Sequence, residues 1–422
     1  MKTLSLTLSL SLLLLTAGCS ENGDGTAGTG GDAGTGGDAG AGGDAGTGGT
    51  AGAGGTGGVA GTGGMGGDAG AGGTGGSGGS DEPPQFLSEW GLFKSIPAQI
   101  PQDDVVPYDV TAPLFTDDAM KLRFVQVPEG EQIQYSNTER WLNPAGTVYA
   151  KTFAYPFDAR MPELGLQLIE TRILEFLEDG EVDMWVYVYP DGVNTDAELI
   201  VWGPVLDVNY VDLAGQDIHL DYAVPSVPAC RNCHAPTPRS RSLGPSSGML
   251  NRDNDYGGMV GVMNQIDYMD SRGMFDVTPP PEDMRTTYAT APAVNDSEGL
   301  HERARSYLDS NCAHCHAPDG EVADKGLYLD YQSMDPVTGI PFTWGVCKVP
   351  TSAGNGTDCD QSLDIVPGDP EASLFLCRME SITPGELMAP LGRTTVHTEG
   401  AALIREWIVE LPNLFPGLPD CP

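Results

Sequence analysis

Between residue 86 and about residue 225, short apolar runs alternate with turn residues. "GTVYAKTFAYP", "ETRILEFLEDG", "VDMWVYVYPDG" and "AELIVWGPVLDV" are rich in β-branched and aromatic residues, some alternate in polarity, and Gly, Pro, Asn and Asp bound them. Repeated short strands between turn signals predict an all-β, sandwich-like domain over residues 81–225. Further along, the period changes. In "NDSEGLHERARSYLDSN" the apolar side chains Leu300, Ala304, Tyr307 and Leu308 recur at three- and four-residue spacing behind an Asn295 to Glu298 capping-box pattern, which predicts an amphipathic helix. In "TEGAALIREWIVEL" Leu403, Ile404, Trp407, Ile408 and Leu411 share one face, with Thr398 as candidate cap. A third helix is expected through "MVGVMNQIDYMDSRGMF".

The first 80 residues have neither pattern. One early Lys precedes an uncharged apolar run from Leu4 to Leu15, too short and too early for a membrane-spanning helix, so residues 1–18 read as a cleaved export signal. The ending "LTAGC" resembles a bacterial lipobox, with Thr16 as a tolerated departure. That resemblance implies a lipid on Cys19, a membrane anchor without a span, and a place in the cell envelope of a Gram-negative bacterium. The protein would be periplasmic or surface-facing, with the outer membrane as the expected site. An ordinary secretory signal with an incidental cysteine is the alternative. From residue 19 to residue 80 the chain is almost only Gly, Ala, Thr, Asp and Ser, and Val59 and Met65 are its only large apolar side chains after the first few residues. Such a segment cannot bury enough surface to offset its ordering entropy. It is expected to be a disordered tether with a root-mean-square reach of ~40–50 Å. Calcium-binding nonapeptide repeats also use Gly and Asp, but each needs a bulky apolar residue that is missing here.

Charge narrows the partners. With 59 acidic against 21 basic residues and a formal net charge of -38, the chain is a poor match for nucleic acid or an anionic membrane face. A protein partner would be basic, although an acidic surface that serves only solubility explains the same composition.

Nine cysteines are present. Cys19 is assigned to lipid, and four fall in "PACRNCHAP" (Cys230, Cys233, followed by His234) and "SNCAHCHAP" (Cys312, Cys315, followed by His316). The remaining Cys347, Cys359, Cys377 and Cys421 are disulfide candidates in an oxidising compartment. "CKVPTSAGNGTDC" suggests a surface loop closed by Cys347 and Cys359, leaving Cys377 for Cys421. Zinc, a redox disulfide and haem compete for the two motifs. A four-cysteine zinc ribbon separates its pairs by roughly 15–20 residues, whereas these lie about 80 apart. A thioredoxin-like disulfide needs neither the histidine nor a duplicate. Covalent haem explains both, with two thioethers per group and the adjacent histidine on iron. The reading is therefore two haem c groups, held by Cys230, Cys233, Cys312 and Cys315 and ligated by His234 and His316. His314, between two cysteines, should point away from the ring to the surface.

Residues 295–422 resemble class I cytochrome c: a helix runs into the haem motif, a second apolar helix closes the region, and "PGDPEASLFLCRMESITPGELMAPLGR" lies between them. The resemblance places Met388, in "MAPL", as the sixth iron ligand, with Ala389 departing from the usual wording; Met379 in "LFLCRM" is the rival and suits helix packing better. Leu243, Gly244 and Pro245 resemble the turn whose proline carbonyl orients the proximal histidine, here His234 of a first haem region over 226–294. Its sixth ligand stays open among Met249, Met259, Met263, Met269, Met274 and Met284, a histidine, or no ligand. "VPYDVTAPLFTDDAMKLRFVQVPEG" together with "GTVYAKTF", "ETRI" and "CRNCH" resembles bacterial di-haem c-type cytochromes with an N-terminal β region. The resemblance implies a multidomain fold, an N-terminal all-β domain followed by mostly α-helical cytochrome c-type haem domains. It also implies single-electron transfer between redox protein partners. A di-haem peroxidase or oxidase with haem one catalytic, and a β-domain ligand-binding module coupled to the haems, are the alternatives.

Overall fold

The computed structural model describes residues 82–178, 181–190, 195–234, 243–292, 298–351 and 358–422. The export signal, Cys19, the Gly-rich tether and Asn295 lie outside them. A short ribbon comes first, β1 (Phe93–Ser95) against β2 (Ile100–Pro101). Six strands then form one antiparallel sheet in chain order: β3 (Val105–Tyr108), β4 (Met120–Gln126), β5 (Val148–Pro156), β6 (Leu166–Phe176), β7 (Val182–Val188) and β8 (Glu198–Ile200). A hairpin of β9 (Val205–Val211) and β10 (Asp217–Ala223) follows.

Alternation along these strands sends neighbouring residues to opposite faces. On one face Phe124, Ala150 and Ile173, partners across β4, β5 and β6, pack with Leu87, Leu92 and Tyr187. On the other, two apolar clusters lie apart. Val125, Tyr149 and Phe176 meet Trp141, Leu250, Ile266 and Phe275, whereas Phe153, Tyr155 and Val186 meet Val208, Leu220 and Tyr222 of the β9–β10 hairpin. Arg123, Lys151 and Arg172 occupy the row between them. That face is therefore not covered by a second sheet, as a sandwich would require. The hairpin covers one end, and α2 (Ser247–Leu250) with α3 (Gln265–Ser271) covers the other.

The four segments read as strands all contribute to strands, the last being split between β8 and β9. The expected helix through "MVGVMNQIDYMDSRGMF" is only half helix. Its first part is β12 (Val262–Asn264), paired with β11 (Asp253–Asp255), and Asn264 then caps α3 by accepting from the Ile266 N–H at 3.0 Å. Asn is one of the side chains that stop one element and start another, because its carbonyl reaches the orphan amides of the first turn.

The first Cys-x-x-Cys-His motif ends α1 (Val227–His234), and the second follows α4 (Leu300–Asn311) directly. Among the described residues after α4 there are only two further α-helices, α5 (Leu374–Glu380) and α6 (Thr398–Leu414). This corrects the expected fold class. The chain is β-rich, with about 25% strand against 23% helix, and its C-terminal part is not a set of mostly α-helical cytochrome domains. Prolines explain why. Pro318, Pro336, Pro341, Pro350, Pro367, Pro370, Pro384 and Pro390 stud the segments around α5, and each removes a backbone donor and constrains its predecessor away from helix. The two helices read from periodicity do form and pack together. Ala304, Tyr307 and Leu308 of α4 meet Leu403, Ile404, Trp407, Ile408 and Leu411 of α6 in one core with Trp344 and Ile365. His301 is buried among them, accepting from the Trp407 indole N–H at 3.1 Å while its other ring nitrogen bonds the Met334 carbonyl at 2.9 Å. The caps differ from expectation: Gly299 precedes α4, and His397 precedes α6 with Thr398 as its first residue.

The four C-terminal cysteines are all paired, but not in the expected way. Cys347 joins Cys421 and Cys359 joins Cys377. After α6 the tail folds back, so the Pro419 carbonyl lies 3.5 Å from the Cys347 sulfur. Cys359 is meanwhile drawn to the α5 side, where the buried Glu386 carboxylate accepts from the Asp358 N–H at 2.8 Å and the Cys359 N–H at 3.4 Å. Long-range return of the tail, invisible in local spacing, decides the pairing. Among the described residues no helix is long and apolar enough to cross a membrane.

Candidate metal centre

Each motif opens onto its own cavity. Cys312, Cys315, His316 and Met388 line one of about 500 Å³. Cys230, Cys233 and His234 line another of about 270 Å³, whose far wall is the β4–β5–β6 face. The larger falls within the ~300–1,000 Å³ usual for small-molecule sites and the smaller just below it. The two share a wall: Leu114, Phe115, Cys233, His314, Ala389 and Leu391 line both.

The β3–β4 loop builds that wall. Phe115 donates its backbone N–H to the Asn311 side chain at 2.8 Å, one residue before Cys312, and Asn311 in turn donates to the Pro113 carbonyl at 3.3 Å. Two residues beyond Phe115, the buried Asp117 carboxylate accepts from the backbone and hydroxyl of both Thr394 and Thr395 at 2.7–3.0 Å. One loop thus clasps α4 and the segment after Met388 together. No motif in the sequence announced this role; the only signal is the pair of acidic residues in "LFTDD", of which Asp117 adopts a positive φ of 43°.

At the second motif the chain keeps turning after α4, with the His316 N–H on the Cys312 carbonyl at 2.9 Å. Burial pulls the His316 imidazole down to about 4, and neighbouring His314 adds to the effect, so the ring is neutral. Its Nδ1 is buried without a well-formed hydrogen bond, although the Leu327 carbonyl acts against the shift. A neutral imidazole is the form that ligates metal. Met388 and Met379 both line this cavity. Met379 is buried in the α5 core, whereas Met388 is half-buried and held at both ends of its residue: its N–H reaches the Arg378 carbonyl at 2.9 Å and its carbonyl accepts from Arg393 at 2.8 Å.

At the first motif, of the six methionines left open only Met249 lines the cavity. Met269 and Met274 belong to the core, and Met259 and Met284 are exposed. The Pro245 carbonyl accepts from the Trp141 N–H at 3.1 Å.

The motifs also meet each other. Ligand atoms of Cys233, His314 and Cys315 lie within 4.8 Å of one another. A hydrogen bond from Cys315, followed by His314, outweighs burial and pulls the Cys233 thiol down to about 4, while the same bond pushes Cys315 far up. Burial pushes Cys312 up to about 12 and raises Cys230. All four motif cysteines are half-buried thiols outside any disulfide. His314 is not on the surface as expected. It is 8% exposed and sits in the shared wall, because the turn after α4 packs against α1 rather than facing solvent.

Comparison with family models, curated proteins and solved structures finds no match for this chain.

The donor set fits a covalent porphyrin: four thiols that no disulfide consumes, a histidine after each pair, and a cavity at each. One further side chain belongs to the larger cavity and was missed. His397 stacks on Phe115 with centroids 4.1 Å apart, and its Nδ1 lies 3.0 Å from the Tyr307 hydroxyl. Burial pulls it down to about 4. As one of only six histidines it could have been flagged, but it stands alone in sequence, just before a helix. His219 lies elsewhere, on the exposed hairpin beside Asn209 and Asp207.

Proposed function

We propose that the chain is an exported, lipid-anchored di-haem c-type cytochrome that passes single electrons between redox protein partners at the cell envelope. The observation that carries this reading is the pair of adjoining cavities, one lined by Cys312, Cys315 and His316 and the other by Cys230, Cys233 and His234, with Cys233 and His314 among the six residues they share. Bound haem supplies a one-electron iron couple. The chain's own residues would do the rest. Cys230 with Cys233, and Cys312 with Cys315, would hold the two groups, and His234 and His316 would offer a ring nitrogen to each metal. Leu114, Phe115 and Leu391 would keep water out of the space between them. Such a thin wall favours exchange of electrons between the two sites over binding of a bulky substrate. The acidic surface suits a basic partner protein, and the lipid on Cys19 would keep the cytochrome at the membrane.

The test is a haem count. Protein matured in a host competent for cytochrome assembly should give two haems per chain by denatured-haem absorbance, with matching added mass on peptides bearing the four cysteines. A colourless product overturns the reading.

A second reading has one observation of its own, the close grouping of Cys233, His314 and Cys315. Two cysteine sulfurs and a histidine suit zinc. Elemental analysis separates the two, because sulfurs engaged in thioethers are not available to zinc.

The axial ligand of the larger cavity can be tested by substitution. Met388→Ala should abolish the red charge-transfer band of a methionine-ligated ferric haem and lower that haem's potential. Met379→Ala should leave both nearly unchanged while costing about 2–5 kcal/mol of stability as a buried methionine. The reverse pattern would move the assignment to Met379.

A further inference from the structure

The far wall of the smaller cavity carries a row of cations. Arg123 on β4 lies opposite Lys151 on β5, and Lys151 lies opposite Arg172 on β6. All three line the cavity. Residues directly opposite in a sheet have Cβ atoms about 4.5–5.5 Å apart, and like charges there destabilise the pairing. Arg140 adds a fourth cation to the lining, against the single carboxylate of Asp309. In a chain with 59 acidic and 21 basic residues, this cavity reverses the balance of the whole molecule.

The outer members of the row have partners. Arg123 reaches Asp109 at 2.7 Å, and Arg172 reaches Glu170 at 2.6 Å while its guanidinium stacks 4.1 Å from the Phe153 centroid. Lys151 between them makes no ion pair among the described residues; its ammonium lies 5.3 Å from the Phe153 centroid, and Glu170 is the carboxylate that acts on it. Burial, then Arg172 and Arg123, pull its ammonium down to about 7. The strands could satisfy their packing with an apolar residue at this position, as they do in the next row with Tyr149. A cation pressed between two cations at a cavity wall is the arrangement expected where an anion completes it.

We propose that Arg123, Lys151 and Arg172 together bind a carboxylate or another small oxyanion in the first cavity, beside Cys230 and His234. The anion has two sources, a haem propionate or a free anion from solution, and only the former rests on the di-haem reading. Placement argues for the free anion. Arg172 and Lys151 line the same cavity as Cys230, and their charges act on its thiol against that of Glu170, so the row lies on the Cys230 side of the site. A porphyrin carries its propionates on the edge away from its thioethers.

The experiment is calorimetric titration of the full, haem-loaded protein with formate, acetate and nitrite at constant ionic strength, alongside redox titration of both haems. Saturable binding of at least one of these anions is expected, weakened at least ~10-fold by Lys151→Met and retained by Lys151→Arg. Lys151→Met keeps the aliphatic stem and removes a repelling charge, so it should fold with an unchanged circular dichroism spectrum. If no free anion binds but Lys151→Met shifts the potential of haem one and not of haem two, the row holds a propionate and the proposal stands with that source. The absence of both binding and a potential shift overturns it. In protein that proves to lack haem the calorimetric arm still reads the row, so a failure of the di-haem reading and a failure of this site give different results.

Discussion

If the chain holds two haems as proposed, replacing Cys312 and Cys315 together by alanine should halve the haem content of the purified protein, and replacing Cys230 and Cys233 should do the same independently. Cys312 and Cys315 line one cavity and Cys230 the other, with Cys233 in the wall between them, so each pair would hold its own porphyrin. The two losses should nevertheless differ in their effect on stability. The cavity of Cys312 is walled by Tyr307 of α4 and by Phe375 and Met379 of α5, side chains that also belong to or pack against the core joining α4, α5 and α6. Leaving about 500 Å³ unfilled there would strip one side of that core of its contacts. The smaller cavity is backed by the six-stranded sheet, whose opposite face has its own packing. Loss of the second haem should therefore lower the unfolding midpoint more than loss of the first. The residual haem should also respond, because the wall between the cavities contains Cys233 and His314. Removal of one group should shift the potential of the other. Equal haem content in wild type and both variants would show that the motifs do not hold porphyrin at all.

How much of this was legible depended on the range of the interactions. Strands β5 and β7 follow their segments closely because a short run of β-branched and aromatic residues between turn residues is a local property. The α4 and α6 stripes were legible for the same reason, down to Leu403, Ile404, Trp407, Ile408 and Leu411. The fold class was not. It extrapolated two helices to a whole region, when the prolines between Pro318 and Pro390 had already argued against helix. The second layer on the sheet was misread because an apolar strand face does not say whether a sheet, a hairpin or short helices will cover it. At the site, the two motifs were visible as written, but their meeting was not. Cys233 and Cys315 are separated by 82 positions and meet beside the β3–β4 loop, which is bonded to Asn311 at the end of α4. His314 was assigned to the surface from its place between two cysteines, a rule that ignores what packs outside the motif. Lys151 is hidden for a related reason. In sequence it is one polar residue in "VYAKTFAYP", and only strand register puts it between Arg123 and Arg172.

Disulfide pairing is the other property set by chain return, and it carries the second large effect. In the loop-entropy account, the stabilisation grows with the logarithm of the loop closed. Cys347 and Cys421 are 74 positions apart and Cys359 and Cys377 are 18 apart. Removing the longer link should cost about 4 kcal/mol and the shorter about 3 kcal/mol. Cys347→Ser with Cys421→Ser should accordingly give the larger drop in denaturant midpoint, and it should free the tail after α6, which limited proteolysis would detect as cleavage near Phe415. Cys359→Ser with Cys377→Ser should instead loosen the segment held by Glu386, next to Met388, and so, on the di-haem reading, disturb the red band of the second haem more than the longer link does. Stability and spectrum thus rank the two disulfides in opposite orders, which a general loss of folding would not do. Peptide mapping of the unreduced protein checks the pairing itself. A fragment joining Cys347 to Cys359 would restore the local loop and remove the basis for both rankings.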